Sequence, residues 1–291
     1  MRFDLFRSQS VPWPSFVEDA RFIESTQAGT LWVLDHYLYP PHPEAQILDS
    51  WTTLGALATQ TSRIRIGTMV TDVALRHPAM LAKQIATVDR ISDGRVDVTM
   101  GAGYFEAELE SLGIAFLSPR GRAQRLREAV EIVDGLLRNG RLTYEGKHYR
   151  VVDAGLVPGP VQQPRPPLLV AANGRRGLRL AAERADTSVS LGSEGASVAD
   201  AVDAVRERNL LLDEYCAELG RDPPSLDRAY YFGWADEKPF ASAASLREYV
   251  DMYSEAGVRR FVFVFSASDG GGAFATREAL ESFAADILAA T

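Results

Sequence analysis

Residues 63–101, RIRIGTMVTDVALRHPAMLAKQIATVDRISDGRVDVTMG, contain one strand, one helix and a second strand in succession. The segment Arg63–Thr71 is rich in β-branched residues and alternates in its first half, which predicts a strand. Pro78 is typical of a first helical turn. The apolar residues after it share one helix face: Leu81, Ile85, Val88 and Ile91. A turn at Asp93-Gly94 then precedes the next predicted strand, Arg95–Gly101.

The same alternation extends in both directions along the chain. The further predicted strands are Arg2–Phe6, Thr30–Asp35, Pro167–Ala172, Thr187–Leu191, Leu226–Ala235 and Arg260–Phe265. The further predicted helices run from a capping box at Ser15-x-x-Glu18 to about Thr26, from Asp49 to about Thr61, over Arg120–Arg138, Arg175–Arg184 and Val198–Leu219, from a cap at Ser245 to Gly257, and over Thr276–Leu288. Eight strands that alternate with helices predict an α/β fold, a single (β/α)8 TIM barrel over residues 1–291. A doubly wound sheet is the alternative, which eight units without a strong domain break disfavour.

Residues 140–167 interrupt this alternation. They contain a possible hairpin around Glu145-Gly146 and the proline-rich run PGPVQQPRPP at 158–167. Because strands and helices resume directly afterwards, we interpret the segment as an insertion in the barrel rather than a linker between domains.

The composition excludes several classes of protein. The 291 residues carry a net charge of −8, whereas general nucleic-acid and anionic-membrane binders need a basic face. The hydrophobic share of 46% is ordinary for a globular chain and argues against disorder. The one cysteine, Cys216, excludes an internal disulfide and a cysteine-based zinc site. The four histidines lack metal-ligand spacing, so we expect no metal site.

The sequence contains no predicted membrane-spanning or export segment. Its longest uncharged stretch, Ser50–Ser62, is too short and too polar to cross a bilayer. The start, MRFDLFRSQS, lacks the charged and apolar regions of a signal peptide. We therefore expect a cytoplasmic protein that acts on a small molecule and binds neither membrane nor nucleic acid.

In a (β/α)8 barrel the active site lies at the C-terminal ends of the strands, so the residues directly after each strand are the candidates. His36 follows the second strand beside Asp35 and can serve as an acid, a base or an orienting donor near neutral pH. The turn Gly101-Ala102-Gly103 lets a planar ligand approach the backbone closely. A turn that merely needs small residues fits the same letters.

A further candidate is the turn Ala172-Asn173-Gly174-Arg175-Arg176, which leads straight into a helix. Free N–H groups and the positive dipole end at a helix start favour an anion. The two arginines add charge and bidentate donors. A phosphate site is therefore sensible here, and a plain turn with surface arginines is an equally good interpretation of these residues alone.

Several segments together resemble, in order and spacing, the luciferase-like flavin and deazaflavin oxidoreductases. The resemblance is close from about Arg21 to Asp186. The segments that carry it are LWVLDH (31–36), LATQTSRIRIGTMVT (57–71), RHPAMLAKQIATVDRISDGRVDVTMGAGYFEAE (76–108), the R-x5-E-A-V-E-I helix (122–132), EGKHY (145–149), PGPVQQPRPPLLVAANG (158–174) and LRLAAERAD (178–186). The resemblance implies a barrel with a flavin-like ring lying across its mouth.

The resemblance also implies which residues contact that ring. Family members hold it against a bulge with a non-proline cis peptide at the end of the third strand, which falls at Met69–Val70 here. Asp35-His36 matches the Asp-His at the reactive face, and the phosphate end is expected on the loops after the fifth and sixth strands. The expected cofactor-binding residues are Asp35, Met69, Val70, Thr71, Ala102, Gly103, Ala172, Asn173, Gly174, Arg175, Arg176 and Gly192.

The segments GAGYFEAE, EGKHY and PVQQPRPP look more like the branch that uses the deazaflavin coenzyme F420 than the FMN-dependent monooxygenase branch. A deazaflavin carries hydride and reacts poorly with oxygen. We therefore expect hydride transfer between reduced F420 and a C=C or C=N bond of a small organic substrate. The expected catalytic residues are His36, Asp35 and Tyr104, with His36 or Tyr104 supplying or orienting the proton. The sugar-phosphate dehydrogenases of the family have Glu where Tyr104 stands, which disfavours sugar-phosphate oxidation.

Two alternatives stay open. The first is a two-component FMN monooxygenase, which needs oxygen and a separate flavin reductase as its partner. The second is a flavin-binding homologue without turnover. An unrelated isomerase or aldolase barrel needs a catalytic Lys or Glu at a strand end, and Lys83, Lys147 and Lys238 lie elsewhere. We expect the protein to be a homodimer.

Overall fold

A computed structural model describes residues 1–40, 42–267 and 271–284 of the chain. Its strands are β1 Arg2–Phe6, β2 Thr30–Val33, β3 Arg65–Asp72, β4 Val96–Gly101, β5 Arg141–Glu145, β6 Arg150–Gly155, β7 Leu168–Ala171, β8 Thr187–Leu191, β9 Asp227–Tyr231 and β10 Arg260–Val264. Its helices are α1 Trp13–Ser25, α2 Ser50–Gln60, α3 Pro78–Ile91, α4 Glu106–Ser111, α5 Pro119–Asn139, α6 Arg175–Arg184, α7 Val198–Glu218, α8 Ala243–Glu255 and α9 Arg277–Ala279, which continues as a π-helix over Leu280–Ala284.

Eight of these strands form a closed barrel in the order β1-β10-β9-β8-β7-β4-β3-β2. The two remaining strands, β5 and β6, pair with each other as an antiparallel hairpin. The predicted (β/α)8 class is therefore confirmed, and the hairpin predicted around Glu145-Gly146 is present in the segment interpreted as an insertion. That the chain is a single domain stays a prediction.

The described chain divides into two compact units. The central unit comprises Ser8–Asp19 and Val33–Val170, and the terminal unit comprises Met1–Arg7, Ala20–Trp32 and Ala171–Thr291. The central unit holds β3 and β4, helices α2 to α5 and the hairpin. The terminal unit holds β1, β8, β9 and β10 and helices α6 to α9.

In the central unit, β3 and β4 pair in parallel, and their register shifts between Thr68 and Thr71. Helix α3 begins at Pro78 as predicted, because His77 accepts a hydrogen bond from the Ala79 N–H at its start. Helix α5 buries its apolar face, including Leu126, Val130 and Val133. These elements bring the C-terminal ends of β3 and β4 side by side.

In the terminal unit, β1 pairs with β10 and β10 with β9, all in parallel. The rings of Phe3, Phe261 and Phe263 stack in the core, with centroids 5.4 to 6.4 Å apart. Below them the buried Arg260 donates from Nε to Asp4 Oδ2 at 2.6 Å. The first and last strands of the barrel are therefore joined by both backbone and side-chain bonds.

Several predicted boundaries are wrong for local reasons. Helix α1 begins at Trp13, not at Ser15, because Pro12 already accepts the Phe16 N–H. Helix α8 is capped by Ser242, whose hydroxyl accepts the Ser245 N–H. Strand β9 ends at Tyr231 because Gly233, at φ +108°, turns the chain away.

Helix α4, Glu106–Ser111, is not predicted from the sequence because its six residues carry no long apolar period. The predicted helix Thr276–Leu288 begins with a cap at Thr276, and its part beyond residue 284 lies outside the described residues. Within the described ranges, no helix is both long and apolar enough to cross a membrane.

Candidate functional site

His36 lies directly after β2 and is held by a buried carboxylate. Its Nδ1 lies 2.9 Å from Oε2 of Glu108, a residue of α4 with no exposed surface. Oε1 of Glu108 accepts the backbone N–H groups of Tyr37 and Leu38. A carboxylate acceptor requires Nδ1 to donate, so Nε2 is the ring atom left to exchange a proton.

Two aromatic rings pack against His36. The centroid of Tyr104 lies 5.5 Å and that of Phe105 6.2 Å from the imidazole centroid, both in edge-on geometry. Tyr104 is 51% exposed. The predicted pair of His36 and Tyr104 is therefore brought together by the fold, with the tyrosine on the solvent side. Glu108 was not predicted, although it is the last letter of the segment GAGYFEAE.

Asp35, the neighbour of His36, is occupied by protein partners. Its carboxylate accepts two hydrogen bonds from Arg76, at 2.5 and 2.8 Å, and one from Ser50 Oγ at 2.6 Å. The backbone N–H of Asp72 donates to it at 3.0 Å. Asp35 is almost fully buried. These contacts make it an anchor for the start of α2 and the end of β3 rather than a group that faces a ligand.

The bulge at the end of β3 contains a non-proline cis peptide bond at Met69–Val70, where the family resemblance places one. Met69 is buried, while Val70 is partly exposed. Thr71 is fully buried and its hydroxyl is bonded to that of Thr68. Of the three residues expected here, Val70 therefore has exposed surface for a ligand.

Glycines in β4 and its turn make room for this bulge. A Cβ on Gly101 would lie 2.9 Å from Cγ1 of Val70. A Cβ on Gly103, whose φ is +77°, would lie 2.5 Å from Oδ2 of Asp72. Glycines at positions 101 and 103 are therefore required by Val70 and Asp72. Ala102 and Gly103 are partly exposed.

Asp72 is a buried acid that the sequence did not single out. Burial raises its pKa to about 6, with a smaller increase from the charge of Asp35. The Ala74 N–H and the charges of His36 and Arg125 lower the pKa in part. Asp72 is therefore a carboxyl group that changes its protonation state near neutral pH.

The turn after β7 lies in the terminal unit. Helix α6 starts there with Gly174 as its cap residue and without a side-chain cap, so its first N–H groups have no capping acceptor. Arg175 and Arg176 are exposed, and neither has a hydrogen bond or ion pair to any residue the structure describes. Asn173 uses both amide atoms to bind the backbone of Leu191, at 3.0 and 3.1 Å. These features fit an anionic group.

Gly192, the next expected cofactor residue, lies against the aromatic residues of the following strand. A Cβ at this position would lie 2.8 Å from the hydroxyl of Tyr230. Ala172 packs against Gly177, where a Cβ would lie 2.4 Å away. Arg208 of α7, which was not predicted, donates to the Leu191 carbonyl at 2.9 Å. Asn173 and Arg208 therefore both bind the last residue of β8.

Solved structures with a similar fold include three that differ in chemistry. An F420-dependent secondary alcohol dehydrogenase, solved with an F420-acetone adduct, is 20% identical, with a TM-score of 0.77 over 91% of this chain and 93% of that one. A coenzyme F420-dependent tetrahydromethanopterin reductase from Methanopyrus kandleri is also 20% identical, with a TM-score of 0.77 and 96% of both chains covered. The monooxygenase RslO1 from Streptomyces bottropensis is 22% identical, with a TM-score of 0.68 over 88% of this chain and 78% of that one.

These similarities agree in fold with the barrel described above. The family described as luciferase-like monooxygenase matches residues 1–267 as one continuous stretch. The matched residues include the bulge at the end of β3 and the hairpin of β5 and β6. They also include His36, Glu108 and the turn at Gly174. The chain is therefore a member of the luciferase-like monooxygenase family of oxidoreductases.

Proposed function

We propose that the protein is an F420-dependent oxidoreductase that transfers hydride between reduced F420 and a C=C or C=N bond of a small organic substrate. The observation that carries this choice of cofactor is how much of each similar structure's own length aligns with this chain. The two F420-dependent enzymes are covered over 93% and 96% of their length. RslO1 and an EDTA monooxygenase are covered over only 78% and 67%. The lengths of the F420 enzymes are therefore closer to that of this chain, which supports this choice of cofactor.

The bound cofactor supplies the hydride, and His36 is the residue proposed to handle the proton. Because Nδ1 donates to Glu108, the opposite atom, Nε2, can take a proton from the substrate or give one to it. The buried carboxylate stabilises the ring when both nitrogens carry protons. Tyr104, half exposed beside the imidazole, is proposed to cover the substrate and to orient it through its hydroxyl.

The residues proposed to hold the cofactor form two sets. Val70 and the turn at Ala102 and Gly103 are partly exposed and carry small side chains or none, so the flat ring can pack against them. The start of α6 with Arg175 and Arg176 suits the phosphate, because no side chain caps it and neither guanidinium group bonds to a residue that the structure describes. Asp35 is proposed to position His36 rather than to touch the cofactor.

Titration of the purified protein with F420 and with FMN, side by side, tests the proposal. We expect micromolar or tighter binding of F420 and binding of FMN weaker by about tenfold or more. The R175Q/R176Q double variant should weaken F420 binding by about tenfold or more, because two charge-assisted contacts are lost. Tight binding of FMN with no affinity for F420 would overturn the proposal.

The second candidate is a two-component FMN monooxygenase with a separate flavin reductase. It is favoured by the 22% identity to RslO1, which exceeds the 20% shared with either F420 enzyme. Oxygen consumption with reduced FMN and product formation would support this candidate. A homologue without turnover is tested by H36A: unchanged activity against every substrate tried, with normal cofactor binding, would support that third possibility.

A further inference from the structure

Helix α5 carries a buried arginine, two of whose guanidinium nitrogens have no hydrogen-bond partner among the described residues. Arg125 is 7% exposed, and its Nε and Nη2 have no hydrogen-bond partner within the part of the chain that the structure describes. These two nitrogens share one edge of the guanidinium and direct their N–H bonds in parallel, which is the geometry that binds both oxygens of a carboxylate. A buried cation with an unfilled edge is unfavourable unless a counter-charge reaches it.

Asp72 provides a matching unfilled acceptor. Its Oδ1 accepts the Ala74 N–H, while its buried Oδ2 has no partner among the described residues. Arg125 and Asp72 attract each other electrostatically, yet they share no hydrogen bond or ion pair. Two groups of opposite charge that act on each other are therefore each left with unused hydrogen-bonding atoms.

Burial sets the raised pKa of Asp72, and the charged groups around it adjust that pKa. Asp35, His36, Arg76 and Arg125 all act on it electrostatically, and Tyr149 is affected by both Asp72 and Arg125. Asp35 is already paired with Arg76, and His36 with Glu108. Among the described residues Arg125 has no such contact partner for Nε and Nη2, so an arriving anion would meet a net positive charge at this edge once Asp72 is protonated.

On the side of the β4 turn, the backbone of Gly103 lies directly against Asp72. The carboxylate lies against the backbone of Gly103, which has no side chain and is partly exposed. The next residue, Tyr104, is half exposed and packs on His36. A small acidic group that enters beside Tyr104 would reach Asp72 close to the imidazole, where the charge of Arg125 acts.

Resting on the proposed function, we propose that Arg125 and Asp72 form a subsite for a carboxylate group of the substrate. Nε and Nη2 of Arg125 donate to the two oxygens of the ligand. Asp72 takes up one proton from solvent and donates it from Oδ2 to one of the same oxygens. The substrate class is therefore a small unsaturated organic acid, held by its carboxylate with the reducible bond toward His36.

Binding of benzoate and of its neutral isostere benzamide, followed by calorimetry on the purified full chain, tests the subsite. We expect benzoate to bind more tightly than benzamide by about tenfold or more, because the amide offers one acceptor to two donors. Benzoate affinity should fall by about tenfold or more from pH ~6.5 to pH ~8, with one proton taken up per ligand in buffers of different ionisation enthalpy.

Three variants assign the effect to these side chains. R125Q should weaken benzoate binding by about a hundredfold, and R122Q, one turn earlier on the same helix, should leave it unchanged. D72N donates without titrating, so it should bind benzoate with an affinity that no longer depends on pH. If R125Q does not fold, the loss of pH dependence in D72N decides the matter by itself.

Equal binding of benzoate and benzamide, or unchanged benzoate affinity in R125Q, would overturn the inference. A loss of F420 or FMN affinity in R125Q without a loss of benzoate affinity would assign the edge to the cofactor and overturn it as well. Benzoate binding that depends on Arg125 in a protein that binds no F420 would keep the subsite and refute the proposed function.

Discussion

At the residue scale, Glu108 determines which nitrogen of His36 donates to the protein and which is left for the proposed proton transfer. Its two oxygens collect one N–H from the ring and two from the backbone. The sequence predicted His36 and Tyr104 because a strand end and a resemblance point to them. Glu108 could not be predicted from its own surroundings, since an acidic residue in a short polar helix is ordinarily exposed.

The substitution E108Q should reverse this arrangement. An amide that keeps the two backbone N–H bonds on its oxygen presents its NH2 group to Nδ1, so the neutral ring then carries its proton on Nε2. We expect turnover to fall by about a hundredfold with cofactor affinity unchanged. Nitrogen-15 NMR of the imidazole reports the tautomer independently of activity. E110Q, on the exposed side of the same helix, is the control; the same tautomer in E108Q and the parent would contradict the prediction.

Asp72 makes stability depend on pH in a calculable direction. Its pKa is raised from 3.8 to about 6, so the unfolded chain releases this proton first and folding loses stability as the pH rises through that interval. The interval corresponds to about 3 kcal/mol in total. Urea unfolding should show D72N gaining about 2 kcal/mol relative to the parent between pH ~4.5 and pH ~7. A stability difference that stays constant over this range would contradict the assignment.

At the element scale, α5 fixes the tip of the inserted hairpin. Glu128 is buried and accepts the N–H groups of Lys147, His148 and Tyr149, and Tyr149 in turn donates to the Val73 carbonyl beyond β3. Gly146 is required because a Cβ there would lie 2.5 Å from the Glu128 carboxylate. The hairpin predicted from Glu145-Gly146 is therefore held by Glu128. The apolar period of α5 does not predict a role for this residue.

E128A should release this hairpin tip without unfolding the barrel. The N–H groups of one exposed and two partly buried residues lose their acceptor, which we expect to cost about 2 kcal/mol. Hydrogen exchange at Lys147, His148 and Tyr149 should accelerate by about a hundredfold or more. E145A, which removes an exposed carboxylate from the same turn, should leave these rates unchanged. Slow exchange in E128A would show that other contacts hold the tip.

Elements with a long apolar period were the most predictable. Helix α6 has the predicted bounds, and α3 begins at the predicted proline. The starts of α1 and α8 were wrong because Pro12 and Ser242, each a few residues upstream, provide the actual first bonds. The cis peptide at Met69–Val70 followed from family resemblance alone, since nothing in its own letters distinguishes it from an ordinary strand.

At the scale of the whole molecule, the barrel joins the two ends of the sequence. Strand β1 pairs with β10 over five residues, and buried Arg260 donates to Asp4, which also accepts the indole N–H of Trp32. The eight-fold alternation of strands and helices was enough to predict a closed barrel, because each strand and helix can be predicted from its own local pattern. The ion pair between Asp4 and Arg260 could not be predicted from local patterns, since the two residues are remote in sequence.

D4A should therefore destabilise the entire barrel. Removal of the carboxylate takes the acceptor of the Nε–H from the buried Arg260 and its counter-charge, and we expect a loss of about 3 to 5 kcal/mol. R141A, which breaks the exposed ion pair with Asp153, should cost less than about 1 kcal/mol. Thermal and urea unfolding monitored by circular dichroism measure both. Equal losses in the two variants would contradict the importance assigned to the closure.

The contact between Gly103 and Asp72 also constrains how this enzyme can be re-engineered. The turn after β4 packs directly against Asp72, the last residue of β3. The residues at positions 72 and 103 must therefore be changed together, although about thirty positions of sequence separate them. A β4 turn grafted from a relative with a larger residue at position 103 would collide with the carboxylate unless residue 72 were exchanged in the same step. Recombination libraries that cross over inside α3 should therefore yield folded chains only when both parents agree at these two positions.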